Sequence, residues 1–70
     1  MPSLHSQWLR IAEQLRDATA ELDVAVSVVL AKRAAGGDPK PVQLEAIRLA
    51  RQRVDDMRVQ MDHFLDEHVP

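Results

Sequence analysis

The stretch LDVAVSVVLA, residues 22–31, decides how this sequence folds. Only Asp23 and Ser27 in it are polar, and its valines alternate as they would in a buried strand. The stretch is too short to cross a membrane, because a spanning helix needs about 20 apolar residues. The sequence on either side of it must therefore decide between a strand and a helix.

The flanking sequence has the spacing of a helix that packs against another helix. Apolar residues are separated alternately by four and three positions, which is the a/d pattern of paired helices. They are Leu4, Trp8, Ile11, Leu15, Ala18, Leu22, Ala25 and Val29. Ser3 is a suitable N-cap, and Gly36-Gly37 is a suitable end with Lys32 and Arg33 in the last turn. The pattern predicts a helix over about residues 3–35.

The segment GGDPKP, residues 36–41, interrupts the helical pattern. A residue before proline avoids the helical conformation, so Asp38 and Lys40 should lie outside a helix. Pro41 suits the first position of a second helix, predicted to end at about residue 68. That helix has its own apolar positions: Leu44, Ile47, Ala50 or Arg51, Val54, Met57, Met61, and Phe64 or Leu65.

These elements predict an all-α fold: an antiparallel two-helix hairpin with coiled-coil-like packing, forming one domain over residues 1–70. Trp8 should lie near the Phe64–His68 end of the second helix and Leu22 near Val54. The further expected neighbours are Leu15 with Met61 and Val29 with Ile47. So short a chain buries a thin core, and without cysteine it has no disulfide to supplement that core.

The half of the hairpin next to the turn has more apolar residues than one partner helix can cover. Val26 and Leu30 flank the main apolar positions on one side. A further set lies off those positions on both helices and is predicted to bind another protein chain. It consists of Val24, Val28, Ala31, Ala35, Val42, Ala46 and Leu49. The alternative is that these residues only widen the contact between the two helices of the hairpin.

The composition argues against several other functions. The formal net charge is −2, which disfavours a general nucleic-acid or anionic-membrane binder. There is no cysteine nucleophile, no Ser/His/Asp arrangement and no phosphate-binding loop, so we expect neither catalysis nor a cofactor. The first nine residues lack a basic start followed by an apolar run, so no signal peptide is expected.

The segment DHFLDEH, residues 62–68, is the one place that resembles a metal site. His63, Asp66 and Glu67 fall on one face of a helix, and the hairpin brings His5 and His68 near them. The alternative is a solvated acidic helix end, which is common at a chain terminus. We favour the solvated end and predict no metal.

The residues around the turn, AKRAAGGDPKPVQLEAIRLARQRVDDM, resemble the small needle co-chaperones of bacterial type III secretion, the YscE-like family. Those proteins are helical hairpins of similar length with a comparable Gly-Gly-Asp-x-Lys-x-x-Gln turn. Here that turn comprises Gly36, Gly37, Asp38, Lys40 and Gln43. Two prolines, Pro39 and Pro41, depart from the family pattern.

The resemblance implies a cytoplasmic protein with two partners. One is a larger helical-repeat co-chaperone, which the small protein stabilises. The other is the needle subunit, whose exposed helix the two co-chaperones cover until export. Membrane and nucleic-acid partners are not expected.

Three alternatives use the same hairpin. A homodimer forming a four-helix bundle would cover the same apolar surplus. A needle subunit is also a hairpin, although it is longer and has a more polar second helix. RNA binding by a dimer of hairpins would use the basic residues Arg48, Arg51, Arg53 and Arg58, although no aromatic residue lies among them.

Overall fold

A computed structural model describes residues 3–69, so the first two residues and the last residue of the predicted domain lie outside it. Helix α1 (Leu4–Ala34) and helix α2 (Pro41–His68) pack against each other and confirm the predicted all-α hairpin. The hairpin measures 51 × 18 × 15 Å. The stretch 22–31 lies entirely within α1, and no strand occurs among the described residues. The alternating valines of this stretch therefore lie on different sides of a helix and do not form one face of a strand.

Both ends of α1 are closed by the residues that the sequence indicated. The Ser3 hydroxyl accepts a hydrogen bond from the backbone N–H of Ser6, as an N-cap side chain does. At the other end, Gly36 has a φ of +82°, where a side chain would be strained. Its N–H donates to the Arg33 carbonyl, and the N–H of Gly37 donates to the Lys32 carbonyl. This is the Schellman arrangement, which satisfies the last carbonyls of the helix.

Helix α2 begins at Pro41 because the preceding residues cannot be helical. Lys40 is extended, with φ −75° and ψ 151°, as expected of a residue before proline. The Gln43 side chain accepts a hydrogen bond from the backbone N–H of Lys40 at 2.9 Å. Gln43, at the third position of the helix, therefore satisfies the backbone N–H of the N-cap residue Lys40, as in a capping box.

The contact between the helices is long and thin. Ala18, Val29 and Val54 are the buried residues in the described range, and no large side chain there is fully buried. At the open end the rings of Trp8 and Phe64 lie 6.0 Å apart, which confirms the predicted neighbours at that end. Most other residues of the contact, including Leu22, are only half-buried. A core of this size stabilises a hairpin marginally.

Leu4 and Leu44 were predicted to face the other helix but are exposed, and of the alternatives Phe64 and Leu65 it is Leu65 that is exposed. Leu44 is 50% exposed and Leu65 is 37% exposed, whereas Gln43 and Phe64 are partly buried. The prediction for Leu44 was wrong because it placed two successive three-residue steps, from 44 to 47 to 50. A strict alternation of four and three, counted back from Ile47, arrives at Gln43.

The same spacing resolves the remaining choices along α2. It selects Ala50, which is partly buried, over Arg51, which is exposed. It also ends on His68, whose ring lies 4.6 Å from that of Phe64. Leu4 is 52% exposed because it begins α1 at the open end, where α2 terminates.

Truncation of the half-buried leucines should destabilise the hairpin by an intermediate amount. A fully buried leucine costs about 2–5 kcal/mol when cut back to alanine. Leu15 and Leu22 are half-buried, so we expect about half of that range for Leu15→Ala or Leu22→Ala. Gln60→Ala, at an exposed α2 position, is the control. Equal shifts in the thermal midpoints of the control and the leucine variants would show that these leucines do not hold the helices together.

A candidate partner-binding face

The seven residues predicted to bind a partner all lie at exposed positions in the half of the hairpin nearest the turn. Val24 is 64% exposed and Val42 is 70% exposed, while Val28 and Leu49 are exposed by about half. Each of them keeps a substantial exposed fraction in the isolated hairpin. We call Val24, Val28, Ala31, Ala35, Val42, Ala46 and Leu49 the loop-proximal face.

An ion pair between the helices shows that the two halves of this set lie on the same side of the hairpin. Arg53 of α2 pairs with Glu21 of α1. Seven residues make about two helical turns, so Val28 lies on the side of α1 that carries Glu21. Leu49 lies about one turn from Arg53, on the side of α2 that carries it. The contributions of the two helices therefore form one continuous apolar surface.

A shallow groove runs between the helices within this surface. Its volume is about 360 Å³, and it is lined by Glu21, Ala25, Ala46, Leu49, Ala50 and Arg53. Small alanine side chains form its floor, which lets another backbone approach closely. Ala25 and Ala50 were assigned by the sequence to the helix contact alone. Their position in the alanine-rich part of both helices is the signal that could have identified the groove.

Apolar residues are also exposed on the opposite side of the hairpin. Leu30 is 60% exposed, and Leu44 is exposed to a similar extent. The sequence predicted Leu30 to flank the main apolar positions, but it assigned Leu44 to the helix contact. The turn half of the hairpin is therefore apolar on both of its broad sides.

A second groove, of about 290 Å³, lies at the open end of the hairpin. Trp8, Phe64, Leu65 and Val69 contribute most of its apolar lining, with His5 and His68 beside them. We call it the open-end cleft. The structure thus brings His5 and His68 to the same end of the molecule, as the sequence predicted.

The acidic residues of this end are arranged as a solvated helix terminus. His63 lies 2.9 Å from Glu67, one turn further along α2. Across residues 3–69, no group of three or more His, Asp or Glu side chains is placed to hold a metal ion. Neither helix of the described chain combines the length and apolarity that a membrane crossing requires.

The basic residues of α2 are partly neutralised by carboxylates. Arg53 pairs with Glu21 across the helices, and Arg48 pairs with Glu45 one turn earlier on α2. The hydrogen bond from Arg48 lowers the pKa of Glu45, so this exposed pair persists at neutral pH and weakens as the pH falls through that lowered pKa. Pairs so exposed contribute little to stability. They do reduce the positive charge that α2 presents to a polyanion.

No protein-family model matches the sequence. Comparison with curated proteins and with solved structures also finds no significant match.

Proposed function

We propose that this chain is a non-catalytic protein-binding hairpin that covers an apolar surface of a helical partner with its loop-proximal face. One observation carries the proposal. Within residues 3–69 the hairpin buries three small apolar residues, while Val24, Val28, Val42 and Leu49 are each exposed by 45% or more. An apolar patch of this kind on a small chain marks a protein interaction site.

The groove in this face supports a helix as the bound element. A helix laid along the alanine floor would contact Leu49, which lines the groove, and Val28, which lies on the same side of the hairpin beyond it. Binding of this kind uses apolar side chains three and four residues apart on the partner. The absence of buried polar or charged side chains from the described residues supports a binding role over a catalytic one.

The resemblance around the turn supplies a specific form of this proposal. A YscE-like hairpin would stabilise a helical-repeat co-chaperone and, with it, hold the needle subunit in the bacterial cytoplasm. The physical task would be to keep apolar helix surfaces out of water until export. Supporting this, the chain has an apolar face that its own core leaves unused.

Co-expression tests the specific form. The chain should be produced with the proteins encoded beside it, captured by affinity, and the complex characterised by its mass. A complex containing a helical-repeat protein is the expected result. If the neighbouring proteins include a needle subunit and a repeat protein and neither is retained, the co-chaperone role is wrong.

The isolated chain should be poorly stable or self-associated, because its apolar surfaces then meet only water or another copy. Light scattering over a range of concentrations would show a mass above that of one 7.9 kDa chain, and thermal melts would show a low or concentration-dependent midpoint. A hairpin that is both stable and strictly monomeric at micromolar concentration would remove the reason for proposing a partner.

A further inference from the structure

We infer that this chain pairs with a second copy of itself along one side of α2, in an antiparallel dimer that leaves the loop-proximal face free. The side in question lies one residue beyond the positions that face α1, and its residues alternate in steps of four and three. We call them the α2 stripe. They are Leu44, Arg48, Arg51, Asp55, Arg58, Asp62, Leu65 and Val69. All are exposed, so none is used to hold the hairpin together.

The four central charges of the α2 stripe are complementary to one another when the order is reversed, while Arg48 falls opposite Leu65. In an antiparallel pair centred between Asp56 and Met57, Arg51 of one copy faces Asp62 of the other. Asp55 faces Arg58 in the same register, and the two-fold axis repeats each pair. The facing positions also combine a and d positions, which is the layering of antiparallel coiled coils. A parallel pair in register would instead place each charge against its own kind.

The same four charges lack partners within the hairpin. Arg51, Asp55, Arg58 and Asp62 make no side-chain hydrogen bond or ion pair in the described chain. Other charges of the molecule do pair, as Arg53 does with Glu21. The stripe therefore presents unneutralised charges of both signs in the order that a second copy would match. Complementary charges of this kind determine register and orientation more than affinity.

Apolar residues at the two ends of the stripe supply the affinity. Leu44 lies beside the turn and is 50% exposed, and in the antiparallel pair it meets Val69 of the second copy. Val69 and Leu65 line the open-end cleft, and both are exposed, at 57% and 37%. The turn end of each copy thus carries the apolar side chain that the cleft of the other can accept.

The length of the hairpin allows an extended contact between two copies. The molecule is 51 Å long, and standard specific interfaces bury about 800 Å² per partner, which a contact along most of that length can approach. Leu30 of α1 lies on the same side as Leu44 and adds apolar area near the turn. The Glu21–Arg53 pair and the loop-proximal face lie on the opposite side, so both interactions can exist together.

Charge reversal with rescue tests the dimer. Sedimentation of the full chain at low salt should show a monomer–dimer equilibrium. Arg51→Glu places like charges opposite each other twice per dimer and should weaken self-association about tenfold or more. The double variant Arg51→Glu/Asp62→Arg restores opposite charges across the interface and should recover most of the affinity. High salt should weaken the original dimer, since exposed pairs are screened.

The rescue also separates the dimer from a purely local effect on the helix. Within one helix, the double variant puts like charges at positions 51 and 55 and again at 58 and 62, so local pairing predicts that it is worse than either single change. Arg10→Glu, on the opposite side of α1, controls for the change in net charge. If a reversal at 51 unfolds the chain by circular dichroism, Asp55→Arg and its double with Arg58→Asp provide the same comparison. A monomeric parent chain up to millimolar concentration, equal effects of Arg10→Glu and Arg51→Glu, or failure of the rescue would overturn the inference.

Discussion

Val28→Asp should eliminate binding of the captured partner while leaving the helical content nearly unchanged. Val28 is about half exposed in the free hairpin, so a carboxylate there stays hydrated and costs little. In the complex the same carboxylate would be desolvated without a partner charge, at a cost of about 3 kcal/mol or more, which weakens binding more than about a hundredfold. Leu49→Asp, which places a charge in the lining of the groove, should have the same effect. Titration calorimetry with the captured partner measures both.

Val59→Asp is the matched control for these variants. Val59 is 67% exposed and lies on the far side of α2, away from both the α1 contact and the loop-proximal face. The substitution and the charge are the same, so only the location differs. If Val59→Asp removes binding and Val28→Asp does not, the partner occupies another face of the hairpin.

Val54→Asp should unfold the isolated hairpin. Val54 is 5% exposed, in the middle of the contact between α2 and α1. The side chain would leave an uncompensated buried carboxylate, at a cost of about 3–5 kcal/mol, and a domain of this size rarely has more stability than that. Val54→Asp should therefore lose most of its helical circular dichroism at room temperature. Val59→Asp again provides the comparison, and equal helicity of the two variants would show that the observed helix contact does not stabilise the protein.

A partner that binds only the folded hairpin should restore part of the helicity that Val54→Asp loses. A ligand that binds only the folded hairpin adds stability in proportion to the logarithm of its concentration over its dissociation constant. The loop-proximal face does not include Val54, so its contacts survive in the variant. The physical consequence is that stability and binding in this protein depend on separate residues of the same two helices.

The local sequence by itself determined where the helices lie. Ser3, Gly36 and Pro41 act through backbone hydrogen bonds and permitted dihedral angles that involve only neighbouring residues. The spacing of Leu15, Ala18 and Leu22 likewise depends only on helical periodicity. For that reason the hairpin, and the exposure of residues such as Val28, could be predicted without knowledge of the packing.

Only the tertiary structure decided how the two helices are turned toward each other. The sequence alone placed Leu44 in the contact, because Leu44 is apolar whereas Gln43, which the strict spacing selects, is polar. The packed structure selects Gln43 instead and exposes Leu44 on the side that the α2 stripe occupies. The pairing of Glu21 with Arg53 similarly shows which sides of α1 and α2 coincide. A helical wheel describes the directions of side chains about the axis of one helix only. The antiparallel contact between α1 and α2 was therefore needed to show that Val28 and Leu49 belong to one face.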